Sequence, residues 1–112
     1  MSNMAIAIWM EPLRSLSYTA ISSTYAGIGT ATVYPTRVYW IQNNTDVLLT
    51  FSWDGVNDMF VLPDDGFFLL DGTANQSAVG GMFAIPVGTR TYVKGSPTTG
   101  SVDLSIIYGK NG

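Results

Sequence analysis

The 112-residue sequence contains neither cysteine nor histidine. Without thiols there is no disulfide framework, thiolate zinc site, iron–sulfur cluster or cysteine nucleophile. Without imidazole there is no Ser-His-Asp or Cys-His arrangement, no imidazole-based zinc, copper or iron site, and no histidine pH switch. Charge is scarce as well: charged residues are 12% of the chain, about half the roughly 25% usual in soluble domains. Glu11 is the single glutamate, and five basic residues (Arg14, Arg37, Arg90, Lys94 and Lys110) are scattered singly in a chain of net charge −3. That distribution forms no cationic footprint for a phosphate backbone or an anionic membrane surface, so neither nucleic acid nor membrane is an expected partner. The apolar run at 4–10 (MAIAIWM) is about a third of the roughly 20 residues that span a bilayer, with no basic region before it; neither a signal peptide nor an anchor is expected.

Valine, isoleucine, threonine, tyrosine, serine and glycine are plentiful instead, and the strong surface helix formers are few, a composition that favours strands. Breakers recur within every ten residues or so, leaving little room for an amphipathic helix. Residues 46–53 place Val47, Leu49, Phe51 and Trp53 on one face, the two-residue period of a half-buried strand. Residues 101–108 alternate in the same way through Val102, Leu104, Ile106 and Tyr108. Residues 37–42 (RVYWIQ) are apolar on both faces, as in a central strand or one whose outer face meets a partner. The polar turn at 43–46 is expected to join this strand to 46–53 as an antiparallel hairpin. Further strands are expected at 15–25, 59–62, 67–70, 83–87 and 91–94, with a loop at 71–81. The fold class is therefore all-β: one small antiparallel β-sandwich, or a small barrel, of about seven or eight strands over residues 14–112. Residues 1–13 are set apart as an extended N-terminal arm without an evident pairing partner.

The acidic residues gather between 54 and 71. Asp54, Asn57, Asp58 and Asp64 offer oxygen ligands suited to calcium, but the glycine after Asp54 and the missing distal glutamate do not fit an EF-hand loop. Aspartate also starts turns through backbone hydrogen bonds, and that is the expected role here; no metal or other cofactor is implied. Catalysis is not expected, since acid–base chemistry without histidine needs a pocket that nothing in the sequence specifies. Two glycosylation triplets, at Asn43 and Asn75, are set aside as coincidental. Trp9, Trp40 and Trp53 with Tyr34 and Tyr39 suit either a core or a sugar-stacking platform. The shortage of charge at a mean hydropathy above zero implies surface hidden against other subunits, so a homo-oligomer is expected. Ile6, Ile8, Trp9, Met10, Tyr39 and Trp40 are the candidate interface residues.

Four segments together carry a resemblance: Thr24-Tyr25-Ala26-Gly27-Ile28-Gly29, Val38-Tyr39-Trp40-Ile41-Gln42-Asn43-Asn44-Thr45-Asp46, Ser52-Trp53-Asp54-Gly55-Val56-Asn57-Asp58, and Tyr92-Val93-Lys94-Gly95 leading into Gly100-Ser101-Val102 and Tyr108-Gly109. In this order and spacing, over residues 14–109, the chain resembles small tailed-bacteriophage virion proteins encoded among head and tail morphogenesis genes. The resemblance implies a structural subunit used in many copies, in the head-to-tail neck or collar or as capsid decoration. Its partners would then be other virion proteins: portal or neck, tail, or major capsid protein. A carbohydrate- or receptor-binding module carried by Trp40, Tyr39 or loop 71–81 is the alternative.

Overall fold

The computed structural model describes residues 6–72 and 84–111. Its nine strands among the described residues are β1 (Ile6–Met10), β2 (Arg14–Ser17), β3 (Ala26–Ile28), β4 (Thr36–Asn43), β5 (Leu49–Ser52), β6 (Phe60–Leu62), β7 (Phe67–Asp71), β8 (Thr91–Lys94) and β9 (Ser101–Asn111). They form two antiparallel sheets packed face to face. The first runs β1-β9-β4-β7, with β2 also on β9, and the second runs β3-β8-β5-β6. The described strands close no barrel, so the architecture is a sandwich.

The alternations read from the sequence become its core. Leu49 and Phe51 from β5, Ile41 from β4, Val102 from β9, Val93 from β8 and Ile28 from β3 are all fully buried, each worth about 1.5–3 kcal/mol relative to an exposed side chain. A ladder of rings joins the sheets, Phe51 on Phe60 at 5.0 Å and Phe60 on Phe68 at 5.1 Å between centroids.

β4 and β5 do not form the expected hairpin. β4 lies between β9 and β7, and β5 between β6 and β8, so the turn at 43–48 crosses from one sheet to the other. Both strands have an apolar inner face, and opposite sheets let those faces pack on each other rather than lie side by side. Asn43 fixes the crossing. Its buried Nδ2 lies 2.9–3.0 Å from the carbonyls of Val47, Leu62 and Pro63, and its Oδ1 accepts from the Thr45 N–H and hydroxyl at 2.9 and 2.6 Å. A side chain buried so deeply is no glycosylation acceptor. Gly100 completes the corner at φ +93°, where a Cβ would lie 2.0 Å from the Asn44 carbonyl oxygen.

Three other expectations are modified. The strand expected at 15–25 is only β2, because the chain turns into a 3-10 helix at Tyr18–Ala20 capped by the Ser17 side chain. Of the strand expected at 83–87, the described part is a single bridge between Ile85 and Thr36; Phe83 lies outside the described residues, as does loop 71–81 beyond Gly72. Within the segment expected to be an unpartnered arm, Ile6–Met10 is hydrogen-bonded to the chain's own β9, from Ile6 opposite Asn111 to Met10 opposite Ile107. β4 pairs with β9 only as far as Tyr108, so β1 and the end of β9 continue past the first sheet as a two-stranded ribbon.

Candidate functional site

Because Tyr39 and Ile41 point into the sandwich, Val38 and Trp40 must point out. Register extends this outer face across the sheet: Val38 lies opposite Ile107, which lies opposite Met10, and Trp40 lies between Ser105 and Leu69. Met10, Val38, Trp40, Leu69, Ser105 and Ile107 line one shallow depression of about 270 Å³ that holds no charged side chain. Beside it the Trp40 and Phe67 rings stack with centroids 4.8 Å apart and planes 5° from parallel. Ile8, two residues before Met10, extends the apolar surface along β1.

The outer face of the second sheet has a different chemistry. Tyr92 and Lys94 alternate with the buried Thr91 and Val93, and Thr50 lies between Val61 and Lys94. Arg90 sits over the Tyr92 ring at 5.4 Å and Lys94 over the Tyr25 ring at 4.7 Å. This face carries cations and hydroxyls beside Val61, whereas the first is hydrocarbon around its depression, with Asp71 opposite Val38 and Asp103 opposite Gln42.

Of the six residues expected at an interface, Ile8, Met10 and Trp40 share the apolar outer face. Ile6 lies in β1, with its side chain outside the described part. Trp9 points to the opposite side of the ribbon, where the Lys110 ammonium lies 5.1 Å from its ring and 5.1 Å from that of Tyr34, itself stacked on Tyr108 at 4.8 Å. Tyr39 is a core residue, 2% exposed. Its hydroxyl lies 2.6 Å from the Thr91 hydroxyl and accepts from Trp53 Nε1 at 3.2 Å, and burial pushes its pKa up. Phe67 and Leu69 complete the face and were not singled out from sequence, although their run of four apolar residues is two-sided in the same way as 37–42.

Asp54 fulfils the turn role. The Asp54 carboxylate accepts from the backbone N–H groups of Val56 and Asn57, both at 2.8 Å, from the Asn57 side chain at 2.7 Å and from the Ser52 hydroxyl at 2.7 Å. These bonds, those from Asn57 and Val56 foremost, hold it far below the usual carboxylate range. Gly55 takes the left-handed φ of +74° that the turn demands. Asp58 instead accepts from the Tyr25 hydroxyl at 2.6 Å and pairs with Lys94 at 2.9 Å. The Tyr25 bond, then Lys94, lowers its pKa, while desolvation and then Asp58 push Tyr25 up to about 12. Among the described residues no group of three or more carboxylates is placed to hold a metal ion; of Asp54, Asn57, Asp58 and Asp64, Asn57 and Asp54 are joined by a hydrogen bond.

A larger recess of about 500 Å³ is lined by Thr36, Arg37, Trp53, Leu70, Ile85 and Pro86, among others. No helix among the described residues is long and apolar enough to cross a membrane.

No protein-family model and no curated protein matches the chain. Among solved structures it is similar to a chain from "Bacillus endospore appendages form a novel family of disulfide-linked pili", with 14% identity and a TM-score of 0.44 over 96% of this chain and 93% of that one. A likeness of that size carries nothing about function, and a chain without cysteine forms no disulfide link.

Proposed function

We propose that this chain is a non-enzymatic structural subunit of a bacteriophage virion, acting by oligomeric assembly in the neck or collar between head and tail. The observation that carries the assembly reading is the apolar patch on the outer face of the first sheet, exposed among the described residues and centred on a depression with no charged side chain, in a chain whose second sheet presents a more polar surface. The resemblance of residues 14–109 to tailed-phage proteins supports the virion setting. A rigid two-layer sandwich supplies flat faces, edges and loops for contact and needs no reactive side chain. The ends of the first sheet offer further contacts: β7 is an edge strand among the described residues, and edges accept neighbouring strands through main-chain hydrogen bonds.

Capsid decoration is the competing position, and symmetry separates the two. Electron-microscopic imaging of the purified protein is expected to show closed rings, built from single subunits or from subunit pairs. Copies that appear on capsid lattices and never as rings would place the protein among decoration proteins instead, and a monomer on its own and with candidate partners would overturn the assembly reading. A sugar platform on Trp40 is the weaker reading. The ring is already stacked on Phe67, and the adjoining depression offers Ser105 as its one polar side chain.

A further inference from the structure

We infer that the outer face of the first sheet is covered by the same face of a second copy of this chain, the two related by a two-fold axis. The inference rests on the assembly reading above and names one of its contacts, the one that joins subunits in pairs; a ring needs a second, head-to-tail contact, for which the β7 edge is available. Ile8, Met10, Trp40, Phe67 and Leu69 are 37% to 67% exposed; at about 200 Å² for a fully exposed side chain of this size they present on the order of 500 Å² of hydrocarbon. A monomer's largest apolar patch is about 300–600 Å² and is often functional. A standard interface removes about 800 Å² from each partner, a little over half of it apolar. This one face therefore supplies the whole apolar share of a stable dimer contact.

A copy of itself is the occupant these features fit. The depression in this face holds no charged side chain; the carboxylates of the face are Asp71, opposite Val38, and Asp103, opposite Gln42, so association of like faces in a subunit of net charge −3 is expected to strengthen with salt. The Trp40–Phe67 stack stands beside the depression lined by Met10, Val38 and Ile107. A two-fold axis through the face brings the Trp40–Phe67 stack of each copy against the same apolar surface of the other, as an isologous contact requires. Asp103, at the border opposite Gln42, has its carboxylate hydrogen-bonded by the neutral side chains of Ser15 and Asn44, each at 2.6 Å.

Sedimentation equilibrium on the full chain tests this with two variants, Leu69→Glu on the first face and Val61→Glu on the outer face of the second sheet. Both positions are about half exposed, so neither variant disturbs the core, and matched circular dichroism and melting curves confirm folding. L69E is expected to raise the concentration for half-association at least tenfold, with V61E within twofold of wild type. Wild-type association that survives L69E, or is weakened equally by V61E, overturns the inference and leaves the assembly reading standing. A wild type that is monomeric throughout overturns both.

Discussion

The rings of Trp40 and Phe67 stack on the outer face of the first sheet, 4.8 Å apart and nearly parallel, with no layer of their own chain over them among the described residues. Association through this face moves Trp40 from water into hydrocarbon. Tryptophan emission is therefore expected to shift to the blue, and acrylamide quenching to fall, as concentration rises through the association range. Trp40→Phe should remove most of that change, because Trp53 is bonded to Tyr39 and Trp9 lies on the other side of the ribbon. A concentration-dependent shift that persists in the variant places the contact elsewhere.

Asn43 holds the crossing between sheets, and Asn43→Ala removes five hydrogen bonds, leaving the Thr45 hydroxyl and the Val47 carbonyl only their bond to each other. Water can reach few of the groups left behind, so the loss is expected to be about 2–4 kcal/mol. At roughly 4 °C per kcal/mol for a domain of this size, the melting temperature should drop by about 8–16 °C. A drop below about 4 °C in thermal denaturation would show that the crossing stands without this side chain.

Two glycines with nearly the same φ separate strain from crowding. Gly88 has φ +89° with open space around a Cβ, whereas at Gly100, φ +93°, a Cβ would collide with the Asn44 carbonyl. Gly88→Ala is expected to cost about 1–2 kcal/mol, the left-handed penalty alone. Gly100→Ala should cost more than about 3 kcal/mol, since backbone must also move. Equal losses in chemical denaturation would refute the close approach at this corner.

Stability should be flat from about pH 5 to 9, because no histidine titrates there. Asp46, Asp54 and Asp58 have folded-state pKa values below the ordinary one, Asp46 chiefly through the hydroxyl and N–H of Thr98. Their contribution is complete above the unfolded carboxylate value of about 4 and is lost as pH falls below it. Tyr25 is raised to about 12 and Tyr39 is raised too. Their contribution is present below the unfolded value of about 10 and fades as pH climbs toward 12. Denaturation midpoints across pH check both limbs, and Asp54→Asn should flatten the acid one.

What the sequence made legible was whatever depends on local alternation. The buried sets of 47–53 and 101–108 follow from a period of two, and the turn at Asp54-Gly55 from its residues. The hairpin failed because a polar run such as 43–46 serves equally for a tight turn and for a crossing between sheets; burial of Asn43 decides between them, and that is set by Leu62 and Pro63, nearly twenty residues on. Tyr39 and Trp40 were equivalent on an all-apolar strand until packing assigned one to the core and the other to the outside. β1 had no visible partner because its partner is the far end of β9, a hundred residues away. The apolar face itself joins β1, β4, β7 and β9, and no single segment displays it.

The central claim is that this low-charge sandwich self-associates, and the mass of the purified protein in solution, by light scattering over a concentration series, tests it most directly. The account predicts a discrete multimer whose mass is an even multiple of 12.1 kDa and which dissociates on dilution or in Leu69→Glu. A monodisperse 12.1 kDa particle at every concentration would contradict it.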